Sequence, residues 1–187
     1  IPSRLVGSEM CIRDRKEAIP VEDAALYFGM LHSPYAVAPT RVDEFDYPEG
    51  DQNVYTHYNG LAGIPIGNWP QRIATVLYLG EPRLLTTGSI ESTSKVLIRR
   101  EVRQRVHAIA PFLDLRGDPY LVSIPSAGKT LSGAENQHQF WIVEGYTHSY
   151  TYPYSSSVSN TDSDRYLRNS VKAVVDAYNG NVHLFIS

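Results

Sequence analysis

Near its C-terminal end the chain reads SVKAVVDAYNGNVHLFI, residues 170–186. Asn179-Gly180 stands there between two runs rich in β-branched and aromatic residues, a strong hairpin signal. Asn and Gly accept the positive φ that tight turns between antiparallel strands require. An antiparallel ribbon is therefore the first commitment of the fold, and the rest of the sequence is read around it.

Upstream, DPYLVSIP and QFWIVEGYT read as two further strands, joined through small polar residues. Two polar insertions are expected, at 125–138 and 153–164, where SAGKTLSGAENQH and YPYSSSVSNTDSD carry no apolar period. AALYFGMLHSPYAVAP, residues 24–39, is short, aromatic and interrupted by Pro34 and Pro39, and reads as strand, turn, strand. In RVDEFDYP the side chains alternate: Val42, Glu44 and Asp46 share one face, while Asp43, Phe45 and Tyr47 share the other, until Pro48 ends the strand. PEGD then turns, NVYTHY resumes the extended pattern, and Asn59-Gly60 turns again.

Two segments carry helical signals. Over about 68–80, Asn68 suits the cap, Pro70 the first turn and Gly80 the end, with Ile73, Val76, Leu77 and Leu79 mostly on one side. Over about 92–110, Ser92, Thr93 or Ser94 supplies a cap and Pro111 closes the helix. Val102, Val106 and Ile109 repeat at helical spacing, with Ile98 one turn before them. Arg99, Arg100, Arg103 and Arg105 are read as the solvated face of that helix, partly paired with Glu101. The fold class expected is α+β: a mixed, mostly antiparallel sheet with hairpins and two helices, cut from a larger domain.

Composition narrows the function classes. The 187 residues carry a net charge of −3, which gives no footprint for nucleic acid. No apolar run approaches bilayer-spanning length. Thirteen tyrosines against two methionines favour exposed sheet and ordered loops over a helical bundle. Residues 1–15, with LVGSEMCIRDR, look like translated sequencing-adapter readthrough. They lack the apolar core of a signal peptide. On that reading the one cysteine, Cys11, is not native. Residues 16–187 are then a truncated part of a single domain with neither disulfides nor thiolate metal ligands.

The candidate chemistry centres on EFDYPEGDQNVYTHYNG, residues 44–60. Asp43, Glu44, Asp46, Glu49 and Asp51 could gather around calcium, which takes several oxygen ligands. The order of acids does not match an EF-hand loop, and a strand sends neighbouring carboxylates to opposite faces. A turn and a solvated sheet edge are the simpler reading. Asp46, Glu49, Asp51 and His57 are kept as the metal or acid/base candidates. The histidines at 32, 57, 107, 138, 148 and 183 form no metal pair by local spacing, so a metal site requires long-range assembly. SIPSAGKT lacks the glycine and the following helix of a phosphate-binding loop, and no nucleophile elbow is present. No catalytic residue, cofactor or enzyme class is assigned.

ALYFG, EFDYPEGDQNVYTHYNGLAGIPIG, RREVRQRVHAIAPFLDLRGDPYLV, FWIVEGYT, YPYS and YLRNSVKAVVDAYNGNVHLFI occur in an order that resembles uncharacterised protein family 0182. These are large bacterial membrane proteins, among them cyanobacterial ones. The resemblance implies several amino-terminal transmembrane helices missing from this segment, then a large region on the extracytoplasmic side of the cell membrane. The partners it implies are the membrane, through those helices, and the rest of the same chain. It implies no established activity. The expected role is a non-enzymatic structural or ligand-recognition module of the envelope. The alternative is an envelope hydrolase or transferase, or a calcium module, built on Asp46, Asp51 and His57. Two departures stand out: Glu144-Gly145-Tyr146-Thr147 where the family has Asp-Ala-Tyr-Thr, and HSYTYPYS where it has an Asp-Arg pair.

Overall fold

A computed structural model of the chain describes residues 25–49, 52–124, 139–157 and 164–187. The expected insertion 125–138, the turn residues Gly50 and Asp51, and most of the polar loop 153–164 lie outside that set. The protein is α+β, and every strand pairing among the described residues is antiparallel. The chain divides into two compact units, Met30–Glu101 and Ile1–Gly29 with Val102–Ser187.

The first unit begins with β1 (Tyr35–Ala38), followed by the hairpin of β2 (Glu44–Glu49) and β3 (Gln52–Thr56). A bulge interrupts the alternation expected along β2. Phe45 faces Tyr55 and Tyr47 faces Val54, so Asp46 has no cross-strand partner. After β4 (Ile64–Pro65) come α1 (Trp69–Leu79) and the single turn α2 (Arg83–Thr86). Helix α1 falls where its signals put it, with Asn68 at the N-cap position and Gly80 in the left-handed conformation at the end. Its buried residues, however, are Thr75 and Val76, while Ile73 and Leu77 face solvent.

The helix expected over 92–110 is a strand followed by a shorter helix. Lys95–Ile98 forms β5, the middle strand of a sheet ordered β1-β5-β4. Val96 and Leu97 are adjacent and both fully buried, which a strand covered on both faces allows and a one-sided helix does not. Arg99 takes φ 51, a left-handed break between strand and helix. Ser94 is no cap: its hydroxyl donates to the Pro39 carbonyl at 2.7 Å and accepts from the Glu91 amide at 2.9 Å.

Tyr58, with Ile66, lies in the core of this unit, whereas Tyr55 remains more than half exposed against Phe45. Gly60 matters for space: a Cβ there would come 2.3 Å from the Tyr58 ring.

In the second unit, α3 (Val102–Ile109) buries Val102 and Val106 and leaves Ile109 exposed. The strands β6 (Asp114–Leu115), β7 (Tyr120–Ser123), β8 (Gln139–Ser149), β9 (Tyr166–Asp176) and β10 (Val182–Ile186) form one sheet. Its path runs β10-β9-β8-β6, with β7 also on β8. On one face Trp141, Val143, Ala173 and Val175 are buried with Leu113, Val102 and Val106. Of the strand, turn, strand expected over 24–39, the second strand, β1, is the one that forms among the described residues. Tyr27 and Phe28 instead both donate backbone N–H to Ala177 O, and Trp141 Nε1 donates to Phe28 O at 2.9 Å.

The C-terminal hairpin is present, with a longer turn than a two-residue Asn-Gly loop. The amide of Asp176 donates to Asn181 O, and Asp176 Oδ1 accepts from the amides of Tyr178 and Asn179. Gly180 alone takes a positive φ, +68°. The buried Asp176 carboxylate therefore shapes the turn as much as the dipeptide does.

Candidate functional site

Of the acids and the histidine in the acid-rich segment singled out by sequence, the structure describes the side chains of Asp43, Glu44 and His57. His57 Nδ1 stands 3.7 Å from Asp43 Oδ1, and their side chains are 48% and 71% exposed. That is a solvated pair at the end of a two-stranded ribbon. For Asp46 and Glu49 only the backbone is described, and Asp51 lies outside the described residues.

A second constellation assembles on the sheet of the other unit. Along β8 the side chains of Trp141 and Val143 turn toward the core and Gly145 is buried in line with them, so Glu144, Tyr146 and His148 occupy the opposite face. Lys172, on β9 directly across from Glu144, donates to Glu144 Oε1. Tyr146 OH donates to Glu144 Oε2 at 3.1 Å, and Asn169 Nδ2 donates to Tyr146 OH at 3.3 Å. The hydrogen bond from Lys172, and then that from Tyr146, hold the Glu144 carboxyl below the usual glutamate range. The same bond to Glu144 raises the Lys172 ammonium.

This polar face continues onto β6. Register places Asp114 across from Tyr146, one step along the face from His148. Arg116, just beyond β6, reaches two carboxylates: Nε is 2.5 Å from Asp114 Oδ2, and Nη2 is 2.6 Å from Asp164 Oδ2. Asp164 leads into β9 with its side chain only 3% exposed. Its other oxygen, Oδ1, is buried and accepts no hydrogen bond from the described residues. It lies 3.7 Å from His148 Nδ1. Asp114, His148 and Asp164 each offer one ligand atom, and all three atoms lie within 4.8 Å of one another. The His148 ring packs against Tyr150 at 5.0 Å between centroids, and Tyr152 stacks on Tyr166 at 5.1 Å.

Sequence reasoning named His148 only as one of six histidines, and placed Asp164 in a loop. The signal that joins them is the register of β6, β8 and β9. The arginines read as a solvated patch are also engaged. Arg103 donates to the carbonyls of Leu115 and Gly117, and Arg105 lies over the Phe28 ring at 4.5 Å.

Comparison with known proteins gives the chain relatives but no structural precedent. It matches the Uncharacterised protein family (UPF0182) over residues 4–187. A UPF0182 protein of Parasynechococcus marenigrum (strain WH8102) is 79% identical over 174 residues, covering 93% of this chain and 19% of the relative. One from Prochlorococcus marinus (strain MIT 9313) is 58% identical, covering 99% of this chain and 20% of the relative. One from Synechococcus elongatus is 42% identical over 91% of this chain and 18% of the relative. The chain thus spans about a fifth of the length of the curated relatives it matches. No solved structure matches it. With nearly its whole described length matched, and close identity to cyanobacterial relatives, the chain belongs to the uncharacterised protein family UPF0182.

Proposed function

We propose that this chain is a non-enzymatic assembly module, held on the extracytoplasmic side of a multi-pass membrane protein and packed there against other parts of the same polypeptide. The observation that carries the assembly reading is on α1. Trp69, Ile73 and Leu77 recur every four residues on one side of that helix and are 64%, 47% and 79% exposed. An apolar stripe of this kind is a surface suited to being covered. In the other unit, and independently of α1, β10 exposes Phe185 and Ile186, at 45% and 92%. Among the described residues no helix is long and apolar enough to cross a membrane. Membrane attachment in this reading therefore comes from helices elsewhere in the protein, as the family resemblance implies. The exposed His57–Asp43 pair, with both groups facing water, supports a role without acid/base chemistry at that ribbon.

Two single-cysteine substitutions test this, each made in the full-length protein and in the 187-residue chain with Cys11 replaced by Ser. Leu77→Cys should react quickly with a maleimide in the isolated 187-residue chain and at least about tenfold more slowly in the full-length protein. Equal rates would refute assembly through α1. Tyr154→Cys, at a fully exposed position, should label in intact spheroplasts with a membrane-impermeant maleimide. Labelling only after lysis would refute the extracytoplasmic placement.

A further inference from the structure

The geometry points to a divalent transition-metal site at Asp114, His148 and Asp164, with Arg116 as the residue that aims the two carboxylates. Arg116 takes Oδ2 of Asp114 and Oδ2 of Asp164, which turns the remaining oxygens away from the guanidinium. On Asp164 that remaining oxygen is the buried Oδ1, which has no hydrogen-bond donor among the described residues. A buried carboxylate oxygen left this way is costly, and a cation at that point removes the cost. His148 Nδ1 stands 3.7 Å from that oxygen. That is too long for a hydrogen bond. It is close to the spacing of about 3.3 Å between two ligands held about 2.0–2.1 Å from one tetrahedral ion.

The charge balance agrees. Two carboxylates against one guanidinium leave net negative charge beside a ring nitrogen, so a cation is attracted despite Arg116. Carboxylates hydrogen-bonded from behind are the usual support for metal ligands. An imidazole with two carboxylates selects zinc, manganese or iron over calcium, which takes oxygen alone. The three ligands come from β6, from β8 and from the residue leading into β9, so a bound ion would tie together three segments distant in sequence. This site is separate from α1 and does not depend on which side of a membrane the chain occupies.

The test uses the full 187-residue chain, stripped with chelator and titrated calorimetrically with zinc chloride, with cobalt(II) as a spectroscopic stand-in. One zinc per chain is expected. His148→Gln should weaken binding by roughly 10–100-fold or more and change the visible d–d band of any bound cobalt(II), which follows the ligand set. Asp164→Asn should do the same. Because that variant disturbs a buried ion pair, His148→Gln, at a ring one-third exposed, carries the decision, with circular dichroism showing that it folds. His57→Gln, in the other unit, should bind as the parent does. No zinc uptake at micromolar concentration, binding that survives His148→Gln, or binding lost in His57→Gln would each overturn the assignment.

Discussion

Replacing Gly180 with alanine separates the two demands that the C-terminal turn makes on one residue. Gly180 takes φ +68°, and a Cβ there would come 2.7 Å from two atoms of the Phe28 ring. The left-handed conformation alone costs an L-residue about 1–2 kcal/mol. The steric part depends on whether the ring can yield. Phe28 is 1% exposed, and Arg105 lies over its face while also donating to Gly180 O. Its own backbone is held by Ala177 O and by the Trp141 indole. A ring fixed on so many sides moves only with its neighbours, and overpacking of that kind costs about 1–3 kcal/mol. Gly180→Ala should therefore destabilise the chain by roughly 2–5 kcal/mol.

Gly117→Ala is the matched control, because Gly117 has φ +75° and nothing within 4 Å of the added methyl. It should cost only the conformational part, about 1–2 kcal/mol. Urea unfolding monitored by tryptophan fluorescence measures both. In a Phe28→Leu background, which removes the ring, the cost of Gly180→Ala should fall to that of Gly117→Ala. Equal losses for the two glycine variants in the parent chain would refute the claim that the aromatic contact constrains the turn.

Three further outcomes are expected. Trp141→Phe removes the donor to the buried Phe28 carbonyl and should cost about 1–3 kcal/mol in chemical denaturation. Ser94→Ala, at a fully buried hydroxyl bridging Glu91 and Pro39, should cost a similar 1–3 kcal/mol, measured in the same way. Glu144→Gln tests the polar face through pH. A depressed carboxyl stabilises above its unfolded pKa and loses that contribution as pH falls through the folded value. The raised Lys172 does the converse, contributing below its unfolded pKa and losing it as pH rises through the folded value. The melting midpoint of Glu144→Gln should therefore lie below the parent's at neutral pH and converge with it in strong acid; a gap that stays constant would refute the pairing.

Much of the fold was legible because local chemistry agreed with tertiary demand. Pro70 and Gly80 mark the ends of α1, and the runs flanking Asn179-Gly180 are strands in the expected register direction. The failure over 92–110 has a definite cause. Ser-Thr-Ser followed by Lys-Val-Leu-Ile satisfies a helix start as well as it satisfies a strand. What decides is that β1 and β4 pair with this segment on either side, in a sheet where Val96 and Leu97 are both buried. Local periodicity cannot register a neighbour that arrives from some sixty residues away, as β1 does here. The stripe misread on α1 has the same origin, since Ile73 and Leu77 have apolar character but no partner among the described residues that buries them.

The candidate site shows why density of acids along a sequence is a poor guide in a sheet protein. Residues 43–51 crowd carboxylates together, yet crowding along a strand does not by itself bring side chains to one point, because neighbours leave on opposite faces. Asp114, His148 and Asp164 are separated by tens of residues and look unremarkable in the sequence. Antiparallel register puts Asp114 beside Tyr146, pairs His148 with Leu167, and so brings the start of β9 against both. A one-residue slip of β6 on β8 would send Asp114 to the apolar face, toward Val143, and dissolve the cluster. The register that packs the core is thus the same variable that assembles the polar site. A substitution that disturbs the core face, such as one at Gly145, where a Cβ would meet Leu113 at 3.0 Å, should therefore be felt on the polar face as well.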